Sequence, residues 1–137
     1  MIYAIRHAAT FNGVVNRALF RPEMFAAMSD GGSVYISVLY NPTLTGGTFA
    51  AHDPSSVMES ALDVGTAFSG GIEIGHMLVS GSASQNASGA GEVRGFSSRL
   101  PFGLDIGGSN PIALGFVAYA LSTQVTADLI VEWKEVR

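Results

Sequence analysis

Apolar and polar residues alternate with a period of two over much of the chain, and glycines interrupt the alternation every few residues. In SVYISVLYNP, Val34, Ile36, Val38 and Tyr40 fall on one face and Ser33, Tyr35, Ser37 and Leu39 on the other, before Asn41 and Pro42 end the run. β-Branched and aromatic residues fit a pleated strand, so a strand is predicted there. Residues 72–79 set Ile72, Ile74, His76 and Leu78 against Glu73, Gly75, Met77 and Val79. Residues 112–122 set Leu114, Phe116, Ala118 and Ala120 against Val117, Tyr119 and Leu121. Both faces of each segment are mostly apolar, which predicts central strands covered on two sides, by a second sheet and by a neighbouring subunit.

The closing TADLIVEWKEVR alternates most cleanly, with Ala127, Leu129, Val131, Trp133 and Glu135 on one face and Asp128, Ile130, Glu132 and Lys134 on the other. A helix cannot bring residues spaced two apart to one side. The segment is therefore predicted to be the last strand, sealing the core with Leu129, Val131 and Trp133. Outward Ile130 is the exception that a contact with another chain would explain.

Paired glycines in DGGS, TGGT, SGG and GGSNP cut the chain into short pieces, a punctuation that favours strands over long helices. Strands are predicted near 2–9, 14–28, 33–40, 47–51, 57–62, 72–80, 112–122 and 126–135. About eight short strands in one domain, residues 1–137, predict an all-β, two-sheet antiparallel β-sandwich of jelly-roll type. An immunoglobulin-like sandwich is the competitor, but the chain has no cysteine pair and its tryptophan lies in the last strand. Two stretches resist this reading. RPEMFAAMSD admits a short helix beginning at Pro22, although its flanks favour a strand. SGSASQNASGAGEVRG, residues 80–95, is small, polar and glycine-rich, and reads as a long exposed loop.

Composition narrows the function. Charged residues make up 13 % of the chain and apolar residues 47 %, so the surface needs covering by small polar residues or by another protein. The longest apolar run, Ile112 to Leu121, is half of what a membrane-spanning helix requires, and the N-terminus lacks a signal-peptide pattern. A net charge of −4 with dispersed basic residues argues against direct nucleic-acid binding. The absence of cysteine excludes disulfides, thiolate catalysis and cysteine-based zinc sites.

Reactive constellations are missing from the sequence. His7, His52 and His76 form no metal-binding pair, and His76 reads as a core or interface histidine. GTAFSGG, residues 65–71, has the glycines of a phosphate loop without the lysine that follows them, and reads as a turn. Ser82, Ser84 and Ser88 occur in no nucleophile-elbow pattern. Asp53, Glu59 and Asp63 read as solvated charges and not as a glycosidase pair. Asn86 begins a glycosylation triplet by letters only. No catalytic residue, metal or cofactor is assigned. The segment EVRGFSSRLPFG interleaves Arg94 and Arg99 with Phe96, Leu100 and Phe102, the residue types of interface anchors. It is either a docking arm or a loop that caps the sandwich. Arg94, Phe96, Arg99, Phe102 and Ile130 are the candidate partner contacts.

IRHAATFNGVVNR, VYISVLYNPTLTGG, SSVMESALDVGT, IALGFVAYAL and TADLIVEWKEVR together resemble a β-sandwich module of tailed-bacteriophage virion proteins. The resemblance spans nearly the whole chain. The Asn12-Gly13 turn, the Asn16-Arg17 pair and Trp133 match positions that shape the module, whereas Pro22 within the second strand departs from it. The resemblance implies a jelly-roll-like domain without enzymatic activity that self-associates and docks on a virion. The expected function is a capsid cement or decoration protein. As a homo-oligomer, dimer or trimer, it would bind the major capsid protein on the outer capsid surface after synthesis in the host cytoplasm, with no direct contact to nucleic acid or membrane. The alternative is a trimeric knob of a tail or head fibre that recognises a host surface. A sugar-binding or carbohydrate-active module is a third class, favoured by a cleft holding Trp or Tyr beside paired carboxylates.

Overall fold

A computed structural model describes residues 3–62, 67–80, 89–94, 111–121 and 125–137. These residues are all-β, with thirteen strands and no helix among them. In chain order the strands are β1 (Tyr3–His7), β2 (Thr10–Phe11), β3 (Val14–Val15), β4 (Leu19–Asp30), β5 (Val34–Tyr40), β6 (Thr43–Thr45) and β7 (Ala50–Ala51). They continue with β8 (Met58–Ala61), β9 (Ala67–Ser69), β10 (Ile72–Val79), β11 (Gly89–Arg94), β12 (Ala113–Ala120) and β13 (Thr126–Val136).

A six-stranded sheet has the order β10-β5-β12-β1-β8-β7, and a three-stranded sheet has the order β11-β4-β13. The pairs β2-β3 and β6-β9 form two small ladders. The first of these turns through Asn12 and Gly13, both at positive φ (50° and 79°), the tight hairpin turn whose twist matches its strands.

The inner faces of the two larger sheets share one core. Ile5, Val34, Ile36, Val38, Leu114 and Phe116 of the first sheet pack with Phe20, Phe25 and Ala27 of β4. Phe25 meets Phe116 edge-on at a centroid distance of 5.9 Å, the packing that suits the ring quadrupoles. Burying each such side chain stabilises by roughly 1.5–3 kcal/mol. Leu129, Val131 and Trp133 were expected to seal this core, but they are half-buried at its margin. The reason is topological: β13 is an edge strand among the described strands, so one flank of every residue pairs with none of them.

The strand favoured over a short helix at residues 21–30 is present, and three other expectations are corrected by pairing. Residues 21–30 continue β4 with no helix; Pro22, which has no N–H to give, sits beside a bulge at Glu23, where the register with β13 shifts. Part of the expected loop 80–95 is strand, because residues 89–94 pair along β4, and even small side chains leave a full set of main-chain donors. In β10 the register shifts between Glu73 and Gly75, which turns Met77 and Val79 inward and His76 outward. Ile74 is consequently half-buried, packed against the core from its edge, and His76 is not a core histidine. Ala67–Ser69, read as part of a turn, pairs with β6, and the turn proper is Gly70-Gly71. Gly71 has φ +86° and a Cβ there would meet the Pro42 backbone at 3.1 Å, so glycine is required on two counts.

Candidate interaction site

The open flank of β13 borders a cleft of about 540 Å³ between the two sheets. Tyr3, His52 and Leu62 form one wall, and β13 forms the other with Leu129, Val131 and Trp133. Every residue from Ala127 to Val131 lines it, which on an alternating strand means that the backbone edge is part of the wall as well as the inward side chains. Leu62 is 82 % exposed and completes the apolar rim.

Trp133 is fixed by three contacts. Its ring lies 6.0 Å from Phe20 and 4.8 Å from His52, the latter edge-to-face, and Nε1 donates to Glu135 at 3.2 Å. Two residues further along β13, Glu135 accepts from the Ser56 hydroxyl at 2.5 Å and the Val57 N–H at 3.1 Å. Arg137 reaches from the same strand end to Glu135 and to the Ser55 carbonyl. Burial works to raise the Glu135 pKa, but the hydrogen bonds from Ser56, Val57, Trp133 and Arg137 outweigh it and hold the carboxyl below its ordinary value. At the other wall Tyr3 is raised, mainly by burial, with a hydrogen bond to Ser60 opposing.

On the outward face of β13, Ile130 is 54 % exposed and opposes Ala26. Asp128 and Glu132 flank it, and Lys134 pairs with Glu23 at 2.7 Å. Of the expected partner contacts, Ile130 is therefore at the surface and Arg94 closes β11, whereas Phe96, Arg99 and Phe102 lie outside the described residues. Sequence reading missed Tyr3, His52 and Leu62, which reach the cleft only through sheet topology. It placed Glu135 on the inward face without using the signal it carries: a carboxylate at the end of an apolar stripe needs donors, and Ser56, Val57, Trp133 and Arg137 supply them.

The other polar groups among the described residues form local pairs. Asp53 accepts from the N–H and hydroxyl of Ser55 in a local turn, hydrogen bonds that lower its pKa. Glu59 pairs with Arg6 at 2.9 Å, and Asp63 lies outside the described residues. His7 is buried in the core, His52 leans on Trp133, and His76 stacks on Tyr35 and pairs with Glu73. Among the described residues, no group of three His, Asp or Glu side chains is placed to hold a metal ion.

On the outer face of the first sheet, Glu73 accepts from Tyr35 at 2.9 Å and from Ser37 at 2.5 Å, and these bonds lower its pKa. Tyr119 extends this patch, tilted against Tyr35 at 6.2 Å. No protein-family model, curated protein or solved structure matches the chain.

Proposed function

We propose that this chain is a non-enzymatic structural protein of a tailed-bacteriophage virion, a cement or decoration protein with a jelly-roll type of β-sandwich. It binds the major capsid protein on the outer capsid surface, after synthesis in the host cytoplasm. The carrying observation is the long edge of β13, unpaired among the described strands, beside an apolar cleft, with Ile130 exposed on its outer face. An unpaired strand edge beside an apolar cleft is the kind of surface that takes up a protein partner, which supports a binding role. The virion assignment comes from the resemblance over five stretches of the sequence. A net charge of −4 without a basic patch suits an outer shell better than a DNA-facing one. Many copies multiply modest contacts into resistance to the outward pressure of packaged DNA.

Quantitative mass spectrometry of purified particles tests this reading. Hundreds of copies per head are expected, and their removal lowers the temperature at which the heads rupture. A few dozen copies confined to the tail or one vertex would sink it. That outcome would favour the second reading, a trimeric fibre knob, which draws on the patch of half-buried Tyr35 with exposed Glu73, His76 and Tyr119 as a surface for host glycan or protein.

A further inference from the structure

The edge of β13 is complementary to itself. From Thr126 to Trp133 it has no proline, no bulge of its own and no inward charge, the devices that commonly blunt an edge; the extra residue of the nearby bulge lies on β4. The opposite edge of this sheet, β11, has contacts with β10, and the terminal strand β7 of the larger sheet has only two residues. β13, with eleven residues, is thus the long open template among the described strands.

We infer that a second copy of this chain occupies it, with the two β13 strands antiparallel and Val131 on the twofold axis. Directly opposed residues must point to the same face, which leaves only registers that pair odd with odd positions and even with even. Val131 is the midpoint of Thr126–Val136, so the register centred on it is the one that overlaps the whole strand. It sets Asp128 opposite Lys134 of the partner subunit and, by symmetry, Lys134 opposite Asp128 of the partner subunit. Centring on Ile130 would oppose Asp128 to Glu132, and centring on Glu132 would oppose that residue to its own copy. Like charges directly opposed destabilise a ladder, so both neighbouring registers are disfavoured. In the favoured register the two Ile130 side chains lie diagonally across the axis and cover each other, which accounts for an exposed isoleucine between two carboxylates.

The cleft supplies the room. The partner's Leu129 comes opposite Trp133 and the partner's Val131 opposite Val131, so apolar side chains enter the space beside Tyr3, His52 and Leu62. An edge pressed down on the other sheet would have no place for them. This inference rests on the binding role of β13 in the proposed function and adds its partner, symmetry and register.

Charge reversal tests it on the pure full-length protein by analytical ultracentrifugation. Asp128→Lys places lysine opposite lysine twice, and Lys134→Asp places aspartate opposite aspartate twice. Each variant alone is expected to dissociate about tenfold or more readily than the unaltered dimer, while an equimolar mixture re-forms a heterodimer with both pairs complementary. The mixture also controls for the Glu23 partner that Lys134→Asp loses, because a merely damaged fold is not rescued by mixing.

Register is read by cross-linking, since the chain has no other cysteine. Val131→Cys is expected to form an oxidised dimer, its opposed Cα atoms falling at about 4.5–5.5 Å, within disulfide range. Ile130→Cys, roughly 7–8 Å from its own copy on the diagonal, is not. A monomeric unaltered protein, no rescue on mixing, or cross-linking through Ile130→Cys and not Val131→Cys overturns the inference. Co-sedimentation with capsids separates this outcome from the parent reading. A monomer that still coats capsids ends the inference alone, and a dimer that never binds them ends the capsid role alone.

Discussion

Glu135 and Val57, 78 positions apart, are joined by a hydrogen bond from the Val57 N–H to Glu135 Oε2 at 3.1 Å. The bond ties the end of β13 to the segment entering β8. The Ser56 hydroxyl donates to the other oxygen, so the carboxylate acts as a two-pronged clasp.

Glu135→Gln keeps the size of the side chain but removes its charge and one acceptor. A loss of roughly 1–3 kcal/mol is expected, since hydrogen bonds to an ionised group exceed neutral ones. The folded carboxyl lies below the ordinary 4.5, so its contribution is fully present above pH 4.5 and is lost as pH falls through the folded value. Urea titrations at pH 7 and at pH 3 check this: the variant is weaker at the first and converges on the unaltered protein at the second.

His7 titrates in the same sense, losing stability as pH falls, but in a higher window. It is fully buried, and neither ring nitrogen has a hydrogen-bond partner among the described residues. Burial pushes its pKa below 6.5, opposed by the nearby Ala18 backbone and Glu135. The unfolded chain therefore takes up the proton first, and stability declines as pH drops from 6.5 toward the lowered folded value. His7→Leu removes the orphaned nitrogens from the core. It is expected to match the unaltered protein or better at pH 7 and to exceed it by about 1–2 kcal/mol at pH 5. Equal slopes of stability with pH in both proteins would show that His7 is not the titrating group.

The period-two pattern made β5, β12 and β13 legible, because a strand's alternation is written in its own residues. Residues 89–94 were not legible: Gly89, Ala90 and Gly91 have little strand preference, and it is the open edge of β4 that orders them. The inward set of β10 was misread because a bulge moves every later side chain to the other face, and no residue type announces one. Trp133 was correctly placed on the inward face. Its position on the rim of a cleft depended on which strand pairs with β4, and that is a property of topology, not of local sequence.

Asn16 shows how a polar residue becomes structural. Only 3 % exposed, it donates through Nδ2 to the carbonyls of Ala8 and Val57 at 3.0 and 2.8 Å and accepts through Oδ1 from the Ala18 N–H at 3.0 Å. It thus fixes the β2-β3 hairpin against the same Val57 that Glu135 holds by its N–H. Asn16→Ala removes one hydrogen bond from each of three main-chain groups, of which the Val57 carbonyl keeps the Ala8 N–H, and is expected to cost about 2–4 kcal/mol. Asn16→Asp is nearly isosteric yet worse at neutral pH, because it faces two carbonyl oxygens with a buried charge. Thermal melts of the pair check the order; an aspartate variant more stable than the alanine one would overturn the account.

Trp133 is the chain's only tryptophan and lines the cleft that the second copy is inferred to fill, so its emission reports occupancy directly. In the dimer the partner's Leu129 lies against the indole and excludes water from its open side. Dilution through the dissociation range is expected to shift emission to the red and to increase acrylamide quenching. Lys134→Asp alone is expected to show the exposed spectrum at concentrations where the unaltered protein shows the covered one, and mixing it with Asp128→Lys restores the latter. A dimer whose tryptophan emission ignores concentration would bury another face. In that case the β13 edge would be left for a different partner, because an apolar cleft beside an unpaired strand still favours occupation.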